Sequence, residues 1–573
     1  MKKKLIGILI SLTMLMTLML GTTSLALAGD APVIKVLIPI AGVVSKDNYV
    51  PYSTATIKMN GNYTVVDNGN PANAAALNNG ETYTVNLSTS DGRTYPVGDA
   101  DMNGSISISD YTNVRLHILG KKALTGEPLA LADVDKNGAV TISDYTYIRL
   151  HILGLRPITD TATFGKANGI TVCASSGATV FTAPDFKIYS TTGTDTLELI
   201  TERSGYGTRN YRGAFRFYMG DNSLRLVNEL DLETYLYGVL PYEMNNDFPM
   251  EALKAQAVCA RNFAFSRMGQ PNYDLDDTSS YAQVYRGFDA SKNNCIAAVD
   301  GTRGQIMKYG DTVMECYYSA SNGGWTEITQ HRWSVTALKA YDQIKADPYD
   351  TANPSSQQER IVLPASLSPS SPIKYQKWVN GSYVDATDIP SDVNSNVSYY
   401  LRLRALQAVS ALGYVANFPE DMDIISISNI ANKTYDTNSG QHHDINDVTG
   451  KNDCKDFLQA EVTMKVNAAP ASGGGRVPVD VTFTINYTDI GPAGAYPSLF
   501  NSSLGIYFAE YESANAVWYI NHRRYGHGIG LSQRGAQQRA CDPDPAVNTY
   551  TAILDFYFPD YPGYPDVHLD ALY

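Results

Sequence analysis

Residues Gly98–Gly120 read GDADMNGSISISDYTNVRLHILG, and Ala132–Gly154 read ADVDKNGAVTISDYTYIRLHILG, the same pattern 34 residues later. Counted from Asp99 and Asp133, oxygen-bearing side chains fall at positions 1, 3, 5 and 12 of a calcium loop. These are Asp99, Asp101, Asn103 and Asp110, then Asp133, Asp135, Asn137 and Asp144. Gly104 and Gly138 stand where such a loop must turn sharply, and Ser105 and Ala139 follow with backbone carbonyls to offer. Hard oxygen ligands spaced to wrap one cation suit Ca²⁺, so the repeat predicts two calcium ions, each loop running into a helix. A single loop of this kind can be a chance acidic turn; two in register are a duplicated unit.

The duplicated loop–helix resembles a dockerin of type I, over about residues 97–157. That resemblance implies an all-α, calcium-folded module that docks on a cohesin of a cellulosome-like scaffold protein. It also implies that Ser109, Arg115 and His117, with their counterparts Ser143, Arg149 and His151, face the cohesin. The two histidines are then not metal ligands. The pattern departs from a full EF-hand, because position 12 is Asp and no helix leads into the first loop.

Outward from the repeat, the chain begins MKKK, runs apolar from Leu5 to Leu20 and reaches Ala26-Leu27-Ala28. This reads as a secretory signal peptide over residues 1–28, and hence an extracellular protein at the cell surface or on a cellulosome. Removing Lys2, Lys3 and Lys4 takes the formal charge from −14 to −17. Such a balance argues against nucleic acid and favours calcium or neutral polymers as partners. Six cysteines lie far apart with no C-x-x-C, and Cys259 sits in the helical run ALKAQAVCARNFA as a buried thiol.

Residues 29–96 alternate polar and apolar, as in VIKVLIPI and TYTVNL, and read as a small β module. Beyond Pro157 the chain is strand-like to Leu230; then Leu253, Ala257, Ala260, Ala264 and Met268 recur at helical spacing. Asp247 is the expected cap of that helix, with Pro249 and Glu251 in its first turn. Residues from about 350 to 495 are rich in Ser, Asn and Asp, and read as strands with long connections, in part an insertion.

Just ahead of the helix stands Glu243, between Tyr242 and Met244 and near Leu240 and Phe248. A carboxyl among apolar side chains is disfavoured as an anion, which tunes it toward general-acid work. The residues alone also allow a carboxylate that caps the helix or pairs with Arg261. Farther on, YGHGIGLSQRGAQQRA places Gly526, Gly528 and Gly530 at alternate positions around His527. Glycine at that spacing marks backbone that a ligand or another strand approaches closely.

YLYGVLPYEM…EALKAQAVCAR, together with GHGIGLSQRGA, resembles the SpoIID/LytB family of sporulation and cell-wall proteins, over roughly residues 165–573. NYRGAFRF, LVNELDLETYL, SYAQVYRG and CYYSASNGGWTE add to the likeness. The resemblance implies a lytic transglycosylase acting on peptidoglycan glycan strands, with Glu243 as its catalytic acid. In such an enzyme the muramic acid 6-hydroxyl is the nucleophile, so proximity replaces a second carboxylate. Gly526, Gly528 and Gly530 would then floor a glycan groove, with His527, Ser532 and Gln533 binding the sugar; close packing alone is the other account of these residues. Some relatives bind zinc at the segment matching TSSYAQVY, but Thr278, Ser279, Ser280 and Tyr281 are poor zinc ligands, so no zinc is expected. LytB-type members enhance an amidase rather than cleave glycan, which leaves a non-catalytic wall-binding protein as the alternative. The expected fold is multidomain: a small β module, the dockerin, and an α+β SpoIID-like domain over 158–573 with a substrate groove.

Overall fold

The computed structural model describes residues 31–39, 43–45, 48–49, 53–124, 126–135, 138–190, 192–200, 208–220, 223–277, 282–329, 344–356, 358–366, 373–386, 393–415, 419, 422–433, 459–487, 506–523, 526–560 and 566–573. Residues 1–28, expected as a signal peptide, and Asn137, Cys454 and Thr278–Tyr281 lie outside these residues. Two compact units emerge: Met1–Glu243 with Arg267–Ile296 and Tyr573, and Met244–Ser266 with Ala297–Leu572.

Two antiparallel-rich sheets build the first unit. One has seven strands, in the order Leu275–Asp276, Val33–Leu37, Ser223–Asp231, Ala214–Gly220, Asp185–Ser190, Tyr63–Asp67 and Ala74–Leu77. The other runs Arg209–Tyr211, Thr196–Leu199, Thr54–Asn60, Thr82–Pro96, Thr161–Ala174 and Thr179–Ala183. Residues 29–96, expected as a module of their own, therefore share both sheets with strands that follow the dockerin. Alternation reveals which face of a strand is buried, as with Ala55, Ile57 and Met59, but not which strand pairs with it. Phe186, stacked on Phe217 of the same sheet at 5.4 Å and met edge-on at 5.4 Å by Phe181 of the second sheet, packs one sheet on the other.

The dockerin is an insertion in a hairpin. Thr82–Pro96 and Thr161–Ala174 pair from Tyr83 opposite Ala174 to Pro96 opposite Thr161, and the Val97 N–H donates to the Asp160 carbonyl at 2.9 Å. Between those ends lie the helices Ile108–Ile118, Gly126–Ala132 and Ile142–Ile152 around a core of Ala100, Val114, Leu124, Ala132 and Ile148. Tyr111 and Tyr145, equivalent in the two repeats, stack at 4.1 Å.

In the second unit the helix Met250–Phe265 buries Leu253, Ala257, Cys259, Ala260 and Ala264, whereas Met268 lies beyond its end. Pro249, not Asp247, is its N-cap; Asp247 instead donates its N–H to Asn245 Oδ1 at 3.2 Å. Glu251 accepts from Lys254 Nζ and from the Tyr550 N–H, each at 2.8 Å. The inserted part begins at Gln358 and closes at Arg523, which stand opposite each other in the sheet. It holds a five-stranded sheet, a four-stranded sheet and the helix Val393–Ala411 around one apolar core that includes Leu401, Val462, Met464 and Ile520. It thus runs past the Ala495 expected from composition, because the strands Ile506–Glu512 and Val517–Arg523 complete its sheet. Among the described residues the cysteines form no disulfide, and no helix is long and apolar enough to cross a membrane.

Candidate functional site

Glu243 closes a helix, Leu232–Glu243, that the sequence did not announce. Asp231 Oδ1 accepts from the Thr234 N–H at 3.0 Å and so caps it. Leu232, Glu233, Tyr235, Leu236, Gly238, Val239 and Leu240 are all buried, so the helix hides most of its surface and its apolar stripe is hard to read. Pro241 sits in the last turn and helps end it there.

The stretch Gln283–Arg286 braces this helix. The Val284 N–H donates to Glu243 Oε1 at 2.7 Å, and the Arg286 N–H donates to the Gly238 carbonyl at 3.0 Å. Tyr235 donates its hydroxyl to Gln283 Oε1 at 3.1 Å, and Tyr285 donates to Asn228 Oδ1 at 2.7 Å. Burial pushes the Tyr235 phenol well up, and the charges of Glu243, Asp276 and Asp277 push it further. Deeper in, Arg209 and Asp277 form a buried ion pair at 3.3 Å. One backbone donor therefore fixes one carboxylate oxygen of Glu243, at the end of a buried and hydrogen-bonded frame. The sequence carried this brace only as the SYAQVYRG likeness, with no hint that it meets Glu243. Arg261 donates to the carbonyls of Gln305 at 3.0 Å and Val299 at 3.4 Å.

Around the glycine run the geometry is different. Gly526, Gly528 and Gly530 take φ of 99°, 76° and 70°, a region open to glycine at little cost. A Cβ on Gly530 would fall on the Tyr317 carbonyl oxygen, and one on Gly526 would come within 2.9 Å of Ser319 Cβ. The Gly528 N–H donates to Ser319 Oγ at 3.2 Å, and Leu531-Ser532 pairs in parallel with Tyr318-Ser319. The close approach is thus made by the protein's own CYYSASNGG segment. His527 is half-buried, accepts from the Ile529 N–H on Nδ1 at 3.0 Å and lies edge-on to Tyr317.

Ser532 and Gln533, expected to bind sugar, are turned inward instead. Ser532 is wholly buried, caps the helix Gln533–Arg539 through the Gly535 N–H at 3.0 Å, and donates to Asp350 Oδ2 at 2.5 Å; Gln533 is buried too. Asp350 also accepts from Ser321 Oγ at 2.8 Å and from the N–H groups of Asn322 at 3.0 Å and Gly323 at 3.1 Å. Its neighbour Asp347 accepts from Tyr557 at 2.6 Å, Asn322 Nδ2 at 2.9 Å and Arg539 at 3.4 Å. Burial, then the charge of Asp347, pushes the Asp350 carboxyl up to about 6, against the pull of its hydroxyl and N–H donors. Sequence reading missed this buried pair, which only a turn of 'DPYD' marked.

The two loops expected to hold calcium bring their carboxylates together. Carboxylate oxygens of Asp99, Asp101 and Asp110 lie within 4.8 Å of one another, and so do those of Asp133, Asp135 and Asp144. Asp110 and Asp144 each serve twice, since each is also the third residue of a helix and completes a capping box with Ser107 or Thr141. The N–H groups of Gly104, at 2.8 Å, and Gly138, at 2.9 Å, donate to Asp99 and Asp133. Asn103 Oδ1 accepts from Ser105, and burial, with the neighbouring carboxylates, pushes the Asp99 and Asp110 carboxyls up. This donor set, all oxygen, fits Ca²⁺.

Of the six residues expected to face a cohesin, Arg115 and Arg149 are exposed. Ser109 and Ser143 donate to Asp101 and Asp135 of the loops, and His117 and His151 accept from the N–H groups of Leu124 and Ile158. Ile108 and Ile142, at equivalent helix starts, and Leu119, Leu153 and Leu155 are exposed apolar residues that sequence reading passed over.

The chain joins two recognised modules: residues 97–153 match the dockerin type I domain, and residues 220–309 match the Stage II sporulation protein family. The second match contains both Glu243 and the segment that braces it. An amidase enhancer of Bacillus subtilis is 28% identical over 328 residues, 56% of this chain and 39% of that protein. Stage II sporulation protein D of Bacillus amyloliquefaciens is 32% identical over 146 residues, 22% of this chain and 42% of that protein. An uncharacterized protein of Brachyspira hyodysenteriae is 40% identical over 129 residues, 22% of this chain and 35% of that protein. The chain thus spans well under half the length of each of these relatives.

Proposed function

We propose that the chain is an exported peptidoglycan lytic transglycosylase, held on a cohesin-bearing scaffold by its calcium-loaded dockerin. The observation that carries this reading is the Glu243 carboxylate, fixed by the Val284 N–H at the end of a buried helix inside the family-matched stretch. Glu243 gives its proton to the glycosidic oxygen as the bond to the muramic acid anomeric carbon breaks. It then takes the proton of that sugar's 6-hydroxyl as this oxygen closes on the same carbon. The products are a free saccharide hydroxyl and a 1,6-anhydro end, and Glu243 returns to its starting state without water. His527 lies in GHGIGLSQRGA, a stretch of the sequence resemblance, and is assigned to contact glycan. Asp99, Asp101, Asn103, Asp110 and the Ser105 carbonyl, with their counterparts, would hold calcium, which would neutralise the loops and steady the helices that meet the cohesin.

A second reading, a wall-binding protein that modulates an amidase, draws support from the long alignment with the amidase enhancer and from the inward-turned Ser532 and Gln533. Mass spectrometry of peptidoglycan, with and without stem peptides, after incubation with the full chain separates the two. Anhydro-muropeptides are expected. Binding without any such product favours the second reading and removes the first.

A further inference from the structure

Cys259 and Cys316, both in the second unit, are wholly buried thiols that the mechanism above does not use. Cys259 lies within the helix Met250–Phe265, and Cys316 opens the CYYSASNGG stretch on which the glycine run rests. One helical turn beyond Cys259, Asn262 ties the helix to the chain that leads into that stretch. Its Nδ2 donates to the carbonyls of Met307 at 2.7 Å and Met314 at 2.9 Å, and its Oδ1 accepts from the Met307 N–H at 2.9 Å. Phe263, four residues on and so on the same helix face as Cys259, lies edge-on to Tyr317 at 6.1 Å. The neighbours of the two cysteines are therefore in contact, and the thiols themselves share a hydrogen bond. Burial, then that hydrogen bond, pushes the Cys316 thiol well up, so little thiolate forms while the fold is closed.

We propose that Cys259 and Cys316 are joined as a disulfide while the chain folds under oxidising conditions, a cross-link between the helix that follows Glu243 and the segment that carries the glycine run. Export, as the leader sequence predicts, supplies such conditions. The oxidant is another disulfide, small or protein-borne. One cysteine thiolate attacks a sulfur of that disulfide and releases its first thiol; the second cysteine then attacks the mixed disulfide and releases the other. One S–S bond breaks and one forms, and both hydrogens and both electrons leave on the two released thiols. Because burial suppresses the thiolate, closure belongs to folding, before the helix covers Cys316. Once formed, the bond is shielded from reductants by the same burial. The cross-link stands whether or not the chain releases anhydro products.

The test refolds the full chain from denaturant in a mixture of reduced and oxidised glutathione, blocks remaining thiols with N-ethylmaleimide and cuts with trypsin. Residues 255–261 and 309–332, each with one cysteine, should be recovered as one linked species that reduction separates. Recovery of both peptides blocked by N-ethylmaleimide, or a link from either cysteine to a different one, overturns the proposal, and neither result depends on a variant that folds. The oxidised chain should melt about 5–10 °C above the reduced one. That difference should vanish in Cys259→Ala with Cys316→Ala and persist in Cys173→Ala with Cys541→Ala; a difference that survives the first pair counts against the cross-link. Folded, reduced chain in the same glutathione mixture should form the link at least about 10-fold more slowly than refolding chain. An equal rate overturns the coupling to folding.

Discussion

In the dockerin, Asp99, Asp101 and Asp110 come from 12 consecutive residues, and the charges that act on Asp99 are the two other carboxylates. Behind the glycine run, Asp347 and Asp350 are met by Arg539, Tyr557, Ser321 and Ser532, from segments up to 210 residues away. Both sets bury acid and take hydroxyl donors, but only the second has a cation, Arg539, set against its carboxylates. A carboxylate cluster that the chain leaves unbalanced is shaped for an ion; one that it balances is part of the frame. Glu243 fits neither description, being a single carboxylate fixed by a backbone donor.

The largest effect should come from the unbalanced set. Asp99→Ala with Asp133→Ala, or chelation of calcium, should strip amide hydrogen-exchange protection from residues 98–154 of the full chain and abolish cohesin capture. Protection elsewhere should hold; unchanged exchange in the dockerin would break the contrast. Next comes Glu243→Gln, which should keep the melting temperature and lower release of anhydro-muropeptides by about 10²–10⁴-fold. Near-normal release would return Glu243 to the structural carboxylates.

The balanced pair should announce itself through pH. Asp350 titrates near 6 when folded and near its ordinary 3.8 when unfolded, so between those values the native state binds more protons. Its contribution to stability is therefore fullest below pH 4 and declines as pH rises through about 6, by roughly 3 kcal/mol for a shift of about two units. Thermal unfolding at pH 4.5 and pH 7.5 should show this slope in the wild type and lose it in Asp350→Asn; equal slopes would remove Asp350 as its source. Smallest is Gly530→Ala, expected to cost about 1–3 kcal/mol because φ is 70° and the Tyr317 carbonyl occupies the Cβ position. Chemical denaturation measures it, and a variant as stable as wild type would reopen the glycines to a ligand-facing role.

The dockerin was legible because its ligands, turns and caps are local: Asp99 to Asp110 can be counted off without knowing any other part of the chain. Glu243 was legible as a residue but not as a site. Its brace, Val284, arrives after an intervening helix, and no spacing rule links the two. Ser532 misled for the same reason, because the hydroxyl beside a glycine run looks available until Asp350 is placed against it. The strands of 54–67 showed their buried faces plainly, yet their partners at 185–199 come after the dockerin and could not be read from alternation.

Because the dockerin interrupts a hairpin, with Val97 bonded to Asp160 at its neck, it is anchored by two covalent connections side by side. Tension transmitted from a scaffold would pull on the adjacent ends of Thr82–Pro96 and Thr161–Ala174 together. The ladder would then open like a zip, pair by pair from Pro96–Thr161 inward, rather than bear the load across all its bonds at once. A docked molecule would give way first at this stalk, while the strands beyond Tyr83–Ala174 and the helix carrying Glu243 remained at rest.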